Sequence, residues 1–160
     1  MTGYYTAQIC QNGHVITEYV EEYPQDLEAY CSECGATTIK TCSKCNSNIR
    51  GASTSGDSFI NYYTAPNYCF SCGEPFPWTK AAIESTNELL LLADGITPDD
   101  AKSLENSYHD LISDTPRTQV AAMKLKIILK KAGKATSDAV YTVLVDVLSE
   151  AVRKTIWPEI

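Results

Sequence analysis

Seven cysteines and a histidine in the first half of the chain fall into four short pairs: Cys10-Gln-Asn-Gly-His14, Cys31-Ser-Glu-Cys34, Cys42-Ser-Lys-Cys45 and Cys69-Phe-Ser-Cys72. Thiolate sulfur and imidazole nitrogen are the ligands zinc prefers, and structural sites take four of them in a tetrahedron. The pairs therefore supply two closed sites with no ligand left over, which predicts two structural Zn2+ ions per chain. A disulfide framework would strand an odd thiol and would need an oxidising compartment. A redox role for one CxxC would need the strand–CxxC–helix setting of a thioredoxin, and nothing in the sequence resembles it.

The neighbouring residues agree with metal knuckles. Gly35, Asn46 and Gly73 each follow the second cysteine of a pair, where the turn needs a positive φ that glycine and then asparagine tolerate best. Asn12-Gly13 is a tight-turn dipeptide that would bring Cys10 and His14 together across a hairpin. Three pairings of these ligand pairs remain open. In the sequential one, Cys10, His14, Cys31 and Cys34 share one ion and Cys42, Cys45, Cys69 and Cys72 the other, each set forming a zinc ribbon. A second groups Cys31, Cys34, Cys42 and Cys45, leaving the outer pairs to each other, and a third is a cross-brace. The sequential order is favoured.

A catalytic zinc keeps an open position for water and a nearby acid or base. Here each ligand set is complete. His109 has no acid–nucleophile pattern around it and reads as a surface residue, and no phosphate-binding glycine loop or nucleophile elbow occurs. The expectation is a protein that is not an enzyme.

The elements that must position these ligands follow from composition. Residues 1–79 hold every cysteine and 12 of the 15 aromatics, whereas residues 80–160 read as helix. The expected fold class is α+β: a small two-zinc β-ribbon domain over 1–79, then an all-α bundle of about four helices over 80–160. Because aliphatic residues are scarce in the first half, Tyr4, Tyr5, Tyr19, Tyr23, Tyr30, Tyr62, Tyr63, Tyr68, Phe59, Phe70, Phe76 and Trp78 are expected to supply much of its packing. The Ser-, Gly- and Thr-rich stretch 47–58 is expected to be a mobile loop. Start and stop signals place one helix from Thr79 to Gly95 and a second opening at Thr97-Pro98-Asp99-Asp100. A third opens at Thr115-Pro116 and closes at Gly133, and the last runs from Ser137-Asp138 to about Ile156.

The third helix carries six cations and no acid over 117–134: Arg117, Lys124, Lys126, Lys130, Lys131 and Lys134. Ala121, Leu125, Ile128, Leu129 and Ala132 form one apolar face, while Val120, Met123 and Ile127 fall among the lysines on the other. Such a helix suits an anionic membrane surface, a nucleic acid or an acidic partner, or else it is buried on two sides with its lysine stems reaching water. Apolar surplus in helices 116–132 and 137–156 suggests homo-oligomerisation or docking. Two zinc ions on seven thiolates would deepen the formal charge of −7, which disfavours nucleic acid as the partner. Membrane attachment through the basic helix is a weaker alternative. No apolar run spans a bilayer, and the N-terminal residues lack a secretion signal, so a cytoplasmic location is expected. The main expectation is a protein–protein interaction module.

Several strings together resemble a known family. They are Cys10-Gln-Asn-Gly-His-Val15, Tyr30-Cys-Ser-Glu-Cys-Gly-Ala36, Ile49-Arg-Gly51, Tyr68-Cys-Phe-Ser-Cys-Gly-Glu-Pro-Phe-Pro-Trp-Thr79 and Asp114-Thr-Pro-Arg-Thr-Gln-Val-Ala-Ala122. The chain is similar, over most of its length, to an uncharacterised bacterial family of zinc-ribbon proteins classed as a domain of unknown function. All eight ligands match that pattern. Ser43 departs from it where many such knuckles have proline, without touching a ligand. The resemblance implies zinc binding and supplies no activity.

Overall fold

The computed structural model describes residues 3–55 and 62–160. The chain divides into two compact units, Met1–Lys80 and Ala81–Ile160. The architecture is α+β: small antiparallel sheets come first and helices follow.

Among the described residues the first unit has five short strands. Strand β1 (Tyr4–Thr6) pairs antiparallel with β5 (Arg50–Ser53), and β2 (Gln8–Cys10) lies between β3 (Val15–Thr17) and β4 (Thr38–Ile39). The stretch 47–58 is thus not a loop throughout. Its first part is tied to β1 by a ladder, and residues 56–58, with Phe59, lie outside the described residues. The strand forms despite weak β-propensity because Gly51, without a side chain, lets the backbone approach that of Glu18: a Cβ there would lie 2.2 Å from the Glu18 carbonyl oxygen.

The core of this unit also differs from the aromatic one expected. Ala7, Ile9, Ile49, Phe76 and Trp78 are buried together with Cys42 and Cys69, and Ile39, Tyr63 and Ala65 pack against them. Tyr4, Tyr23, Tyr30, Tyr62 and Phe70 are exposed instead. Three aliphatic side chains and two stacked rings fill a core this small (Phe76 and Trp78 centroids are 4.8 Å apart). Most tyrosines, with hydroxyls to hydrate, stay nearer the surface, where Tyr5, Tyr19 and Tyr23 meet edge to face, while Tyr63 packs on the core and donates its hydroxyl to the Arg50 carbonyl.

Six helices, rather than about four, make up the rest: α1 (Pro77–Leu92), α2 (Pro98–Glu105), α3 (Tyr108–Ile112), α4 (Thr118–Ala132), α5 (Lys134–Leu144) and α6 (Glu150–Ile156). Helix α1 opens at Pro77, and Thr79 is no cap; its hydroxyl donates to the Asn67 carbonyl at 2.9 Å. Helix α2 starts where expected, with Thr97 and Asp100 in a reciprocal capping box and Pro98 in the first turn. A 2.8 Å bond from the Ser107 amide to the Leu104 carbonyl closes its end, and α3 follows with Tyr108 buried and its hydroxyl on Asn87. Gly133, at φ 91°, ends α4, and α5 starts at Lys134, three residues before the expected Ser137.

The last helix is interrupted because the Ser149 amide donates to Leu111 across the unit, and the Ser149 hydroxyl then caps α6 by accepting from Val152. Helix α4 is central, packing on α2, α3, α5 and α6. Leu104, Leu111, Leu125, Val140, Leu144 and Val152 are fully buried in this unit.

Candidate metal centre

Three CxxC turns repeat one local geometry. In each, the first cysteine amide donates to the carbonyl five residues on: Cys31 to Ala36 at 2.8 Å, Cys42 to Ser47 at 2.9 Å and Cys69 to Glu74 at 2.8 Å. The carbonyl of the same cysteine accepts from the residue after the second, Gly35, Asn46 or Gly73. Those three residues have φ of 73°, 59° and 72°, the left-handed conformation expected of them. Isolated bridges Tyr30–Thr37, Thr41–Asn48 and Tyr68–Pro75 close the three turns at their bases. The fourth pair is built differently. Cys10 ends β2, its amide bonds the His14 carbonyl at 2.9 Å, and Gly13 turns at φ 91° against the Trp78 side chain.

The structure brings the pairs together in sequential order. Cys10, His14, Cys31 and Cys34 form one cluster and Cys42, Cys45, Cys69 and Cys72 the other, with the ligand atoms in each all within 4.8 Å of one another. Each cluster could hold a metal ion. Sulfur–sulfur separations are 3.8 Å for Cys10–Cys34, 3.7 Å for Cys42–Cys72 and 3.6 Å for Cys45–Cys69. These are far beyond a disulfide bond of about 2.05 Å. His14 enters through Nδ1, 3.5 Å from the Cys10 sulfur and 3.6 Å from that of Cys31. Its other nitrogen lies 3.9 Å from the exposed Glu33 carboxylate, beyond hydrogen-bond distance.

Backbone and side-chain donors already stabilise charge on these sulfurs. The second cysteine of each CxxC faces the amide two residues on: Cys34 that of Ala36, Cys45 that of Ser47, Cys72 that of Glu74. The Ala36 amide, with the Asn12 side-chain amide 3.4 Å away, holds Cys34 down to about 6. The Ser47 hydroxyl and amide do the same for Cys45, also to about 6. Amides of Cys45 and Lys44 lower Cys42. Burial raises Cys10. At Cys72 the Glu74 amide lowers the pKa, but desolvation and the three neighbouring thiols outweigh it and push it up to about 12. Four thiols this close do not all ionise by themselves; a divalent cation removes the conflict.

Several contributors are not evident from local sequence. Asn12 has the signature of a turn residue, yet its side chain also reaches Cys34. Glu74 joins Lys44 at 3.0 Å and Lys80 at 2.5 Å, binding the Cys42 and Cys69 knuckles to the start of α1. In the Ile49-Arg50-Gly51 string, Ile49 is core and Gly51 is the close approach. Arg50 lies with its guanidinium over the Phe70 ring at 3.9 Å and the Tyr4 ring at 4.7 Å.

The lysines of the basic helix are less free than their number suggested. Lys131 pairs with Asp100 at 2.9 Å, Arg117 lies 3.7 Å from Asp110, and Lys126 donates to the Thr155 carbonyl at 3.3 Å. On the same helix Ala121, Leu125, Ile128 and Leu129 are buried as expected, while Val120, Met123 and Ile127 remain about half exposed. Among the described residues no helix is long and apolar enough to cross a membrane.

No curated protein and no solved structure matches this chain. One family model does, over residues 3–156, and it contains both ligand clusters and nearly the whole helical unit. The chain belongs to the family described as uncharacterised protein conserved in bacteria (DUF2321).

Proposed function

We propose that this protein is a non-catalytic zinc protein, with two structural Zn2+ ions ordering a head for protein–protein interaction and helices that dock or self-associate. One observation carries the metal part. A zinc tetrahedron with Zn–S bonds of about 2.3 Å has sulfur–sulfur edges of roughly 3.8 Å, and the observed separations are 3.6 to 3.8 Å. A softer, all-sulfur or sulfur-rich donor set with four members selects zinc over hard cations such as magnesium or calcium. With each set complete, no coordination position is left for water or substrate, which supports a structural role. Such ions need reduced thiols, which favours a reducing compartment such as the cytoplasm.

Metal analysis of chelator-free protein is expected to give two zinc ions per chain. A value near one, or disulfides in place of free thiols, would refute the assignment.

The docking part is supported by Val120, Met123 and Ile127, whose exposures of 49 to 54% leave an apolar stripe along α4. Light scattering on the purified protein is expected to give a multiple of the 17.6 kDa chain mass. Ile127→Glu, which puts a charge into the stripe, is expected to return it to the monomer with its helicity unchanged. A wild type that stays monomeric at ~100 μM, above the range of physiological dimer affinities, would remove self-association from the reading. Pairing of Lys131 with Asp100 and of Arg117 with Asp110 within the helical unit weighs against the nucleic-acid and membrane alternatives, since backbone or headgroup binding needs free clustered cations.

A further inference from the structure

An open cavity of about 260 Å3 lies beside the C-terminal half of α4, lined by Lys126, Leu129, Lys130, Gly133, Lys134, Ser137, Ile156 and Trp157. Its lining is divided by chemistry. Lys126 and Lys130 are one turn apart on α4, so they follow one rim for roughly 6 Å of helix axis, and Lys134 lies beyond the break at Gly133, at the start of α5. Leu129, Ile156 and the Trp157 indole make the apolar part. The indole is fixed on two sides: its N–H donates to the Ser137 hydroxyl at 3.3 Å, and Tyr141 meets it edge to face at 4.9 Å.

No acidic side chain lines the cavity. Lys134 is paired outside it with Asp138 at 2.9 Å, and Lys126 spends one proton on the neutral Thr155 carbonyl. Lys126 and Lys130 therefore bring two positive charges to the rim, with a flat aromatic wall and two aliphatic side chains behind them. The open cavity of about 260 Å3 has room for one ring bearing a carboxyl group.

The geometry points to a binding site for a small aromatic carboxylate, its carboxylate bridging Lys126 and Lys130 and its ring against Trp157, Leu129 and Ile156. Charge complementarity and shape act on opposite ends of such a ligand, so neither a bare anion nor a neutral ring satisfies the site. Nothing in this inference depends on the metal clusters or on self-association.

Benzoate is the test probe, with full-length zinc-loaded protein and the tryptophan indole N–H resonances as readout. The chain has two tryptophans, and Trp78, buried in the metal-binding unit, serves as the internal reference. Benzoate is expected to shift the Trp157 resonance saturably, with a dissociation constant on the order of 1 mM, typical of a ligand this small. The Trp78 resonance stays in place. Acetate and benzyl alcohol, each carrying half of the chemistry, are expected to bind at least tenfold more weakly.

The double substitution Lys126→Gln with Lys130→Gln is expected to weaken benzoate at least tenfold, while Lys102→Gln, on exposed α2 surface, leaves it unchanged. Glutamine has lysine's helix propensity; should the double variant still lose helicity, Lys130→Gln alone, at an exposed position, is expected to weaken binding at least threefold. Three results would overturn the proposal: no Trp157 shift up to ~20 mM benzoate, about twenty times the expected constant; equal binding of benzyl alcohol or acetate; or unchanged affinity in a folded lysine variant.

Discussion

Replacing Cys42 with serine is expected to release a metal ion and unfold the unit Met1–Lys80 while leaving the helical unit folded. Cys42 is 1% exposed and belongs to the apolar core as well as to the second cluster. Its loss therefore acts twice. A structural zinc site contributes apparent binding free energies of about 10–16 kcal/mol, as large as the entire stability of a typical domain, about 5–15 kcal/mol. Serine does not replace thiolate as a ligand at neutral pH, and its hydroxyl would enter the apolar core to which Ile49 and Phe76 belong. The strands cannot compensate, because among the described residues the longest has four residues.

Zinc content is expected to fall from two to one or fewer per chain, and the near-ultraviolet signal of the aromatic head to collapse. The far-ultraviolet helix signal persists, since Leu104, Leu125, Leu144 and Val152 form a core without metal. A variant that kept two zinc ions and an unchanged melting temperature would show that Cys42 is not a ligand. The exposed Cys72→Ser variant separates the two contributions: it removes a ligand from the same ion without entering the core, and is expected to lose metal to the same extent.

The second large effect is expected where no ligand is touched. In Gly51→Ala the added methyl carbon would lie 2.2 Å from the Glu18 oxygen, 3.0 Å from its carbonyl carbon and 3.1 Å from that of Thr6. These are backbone atoms, and they are tied. Glu18 accepts from the Ala52 amide at 3.1 Å, and Thr6 accepts from Val20 at 3.0 Å. The Glu21 carboxylate also grips the Thr6 amide and hydroxyl. No flexible side chain can yield, so the cost exceeds the usual 1–3 kcal/mol of overpacking and is expected to be more than about 3 kcal/mol.

For a unit of this size that lowers the melting temperature of the head by more than roughly 12 °C, with both metal ions still bound in the folded fraction. Gly35→Ala provides the scale. It has φ 73° but nothing within 4 Å, so only the left-handed backbone penalty of about 1–2 kcal/mol applies. Equal melting temperatures for the two variants would refute the close approach at Gly51.

The ligands and their turns were readable from the sequence because a CxxC knuckle is a local object. The two backbone hydrogen bonds of the turn, Cys31 to Ala36 and Gly35 to Cys31, lie within six residues, and the need for positive φ at position 35 appears directly as glycine. The same holds for the capping box at Thr97, whose partners lie three residues apart. The start of α6 was equally local, since Ser149 followed by Glu150 is a helix-opening signal, but the continuous apolar spacing of Val147, Leu148, Ala151 and Val152 masked it. What breaks the helix there is the Ser149 amide's bond to Leu111, and a partner 38 positions away leaves no trace in local spacing.

Pairing of the knuckles, strand β5 and the role of Gly51 belong to the same non-local class. Sequence order made the sequential pairing one of three; the structure realises it by placing Cys10 and Cys34, and likewise Cys42 and Cys72, within one ligand shell. The stretch 50–53 has the composition of a loop, and it becomes a strand only because β1 supplies the other half of its ladder. Amino-acid type and short spacing thus determined the chemistry each site can perform. Which groups share a site was decided by backbone pairing between distant segments, because hydrogen bonds and close packing are satisfied in space and not along the chain.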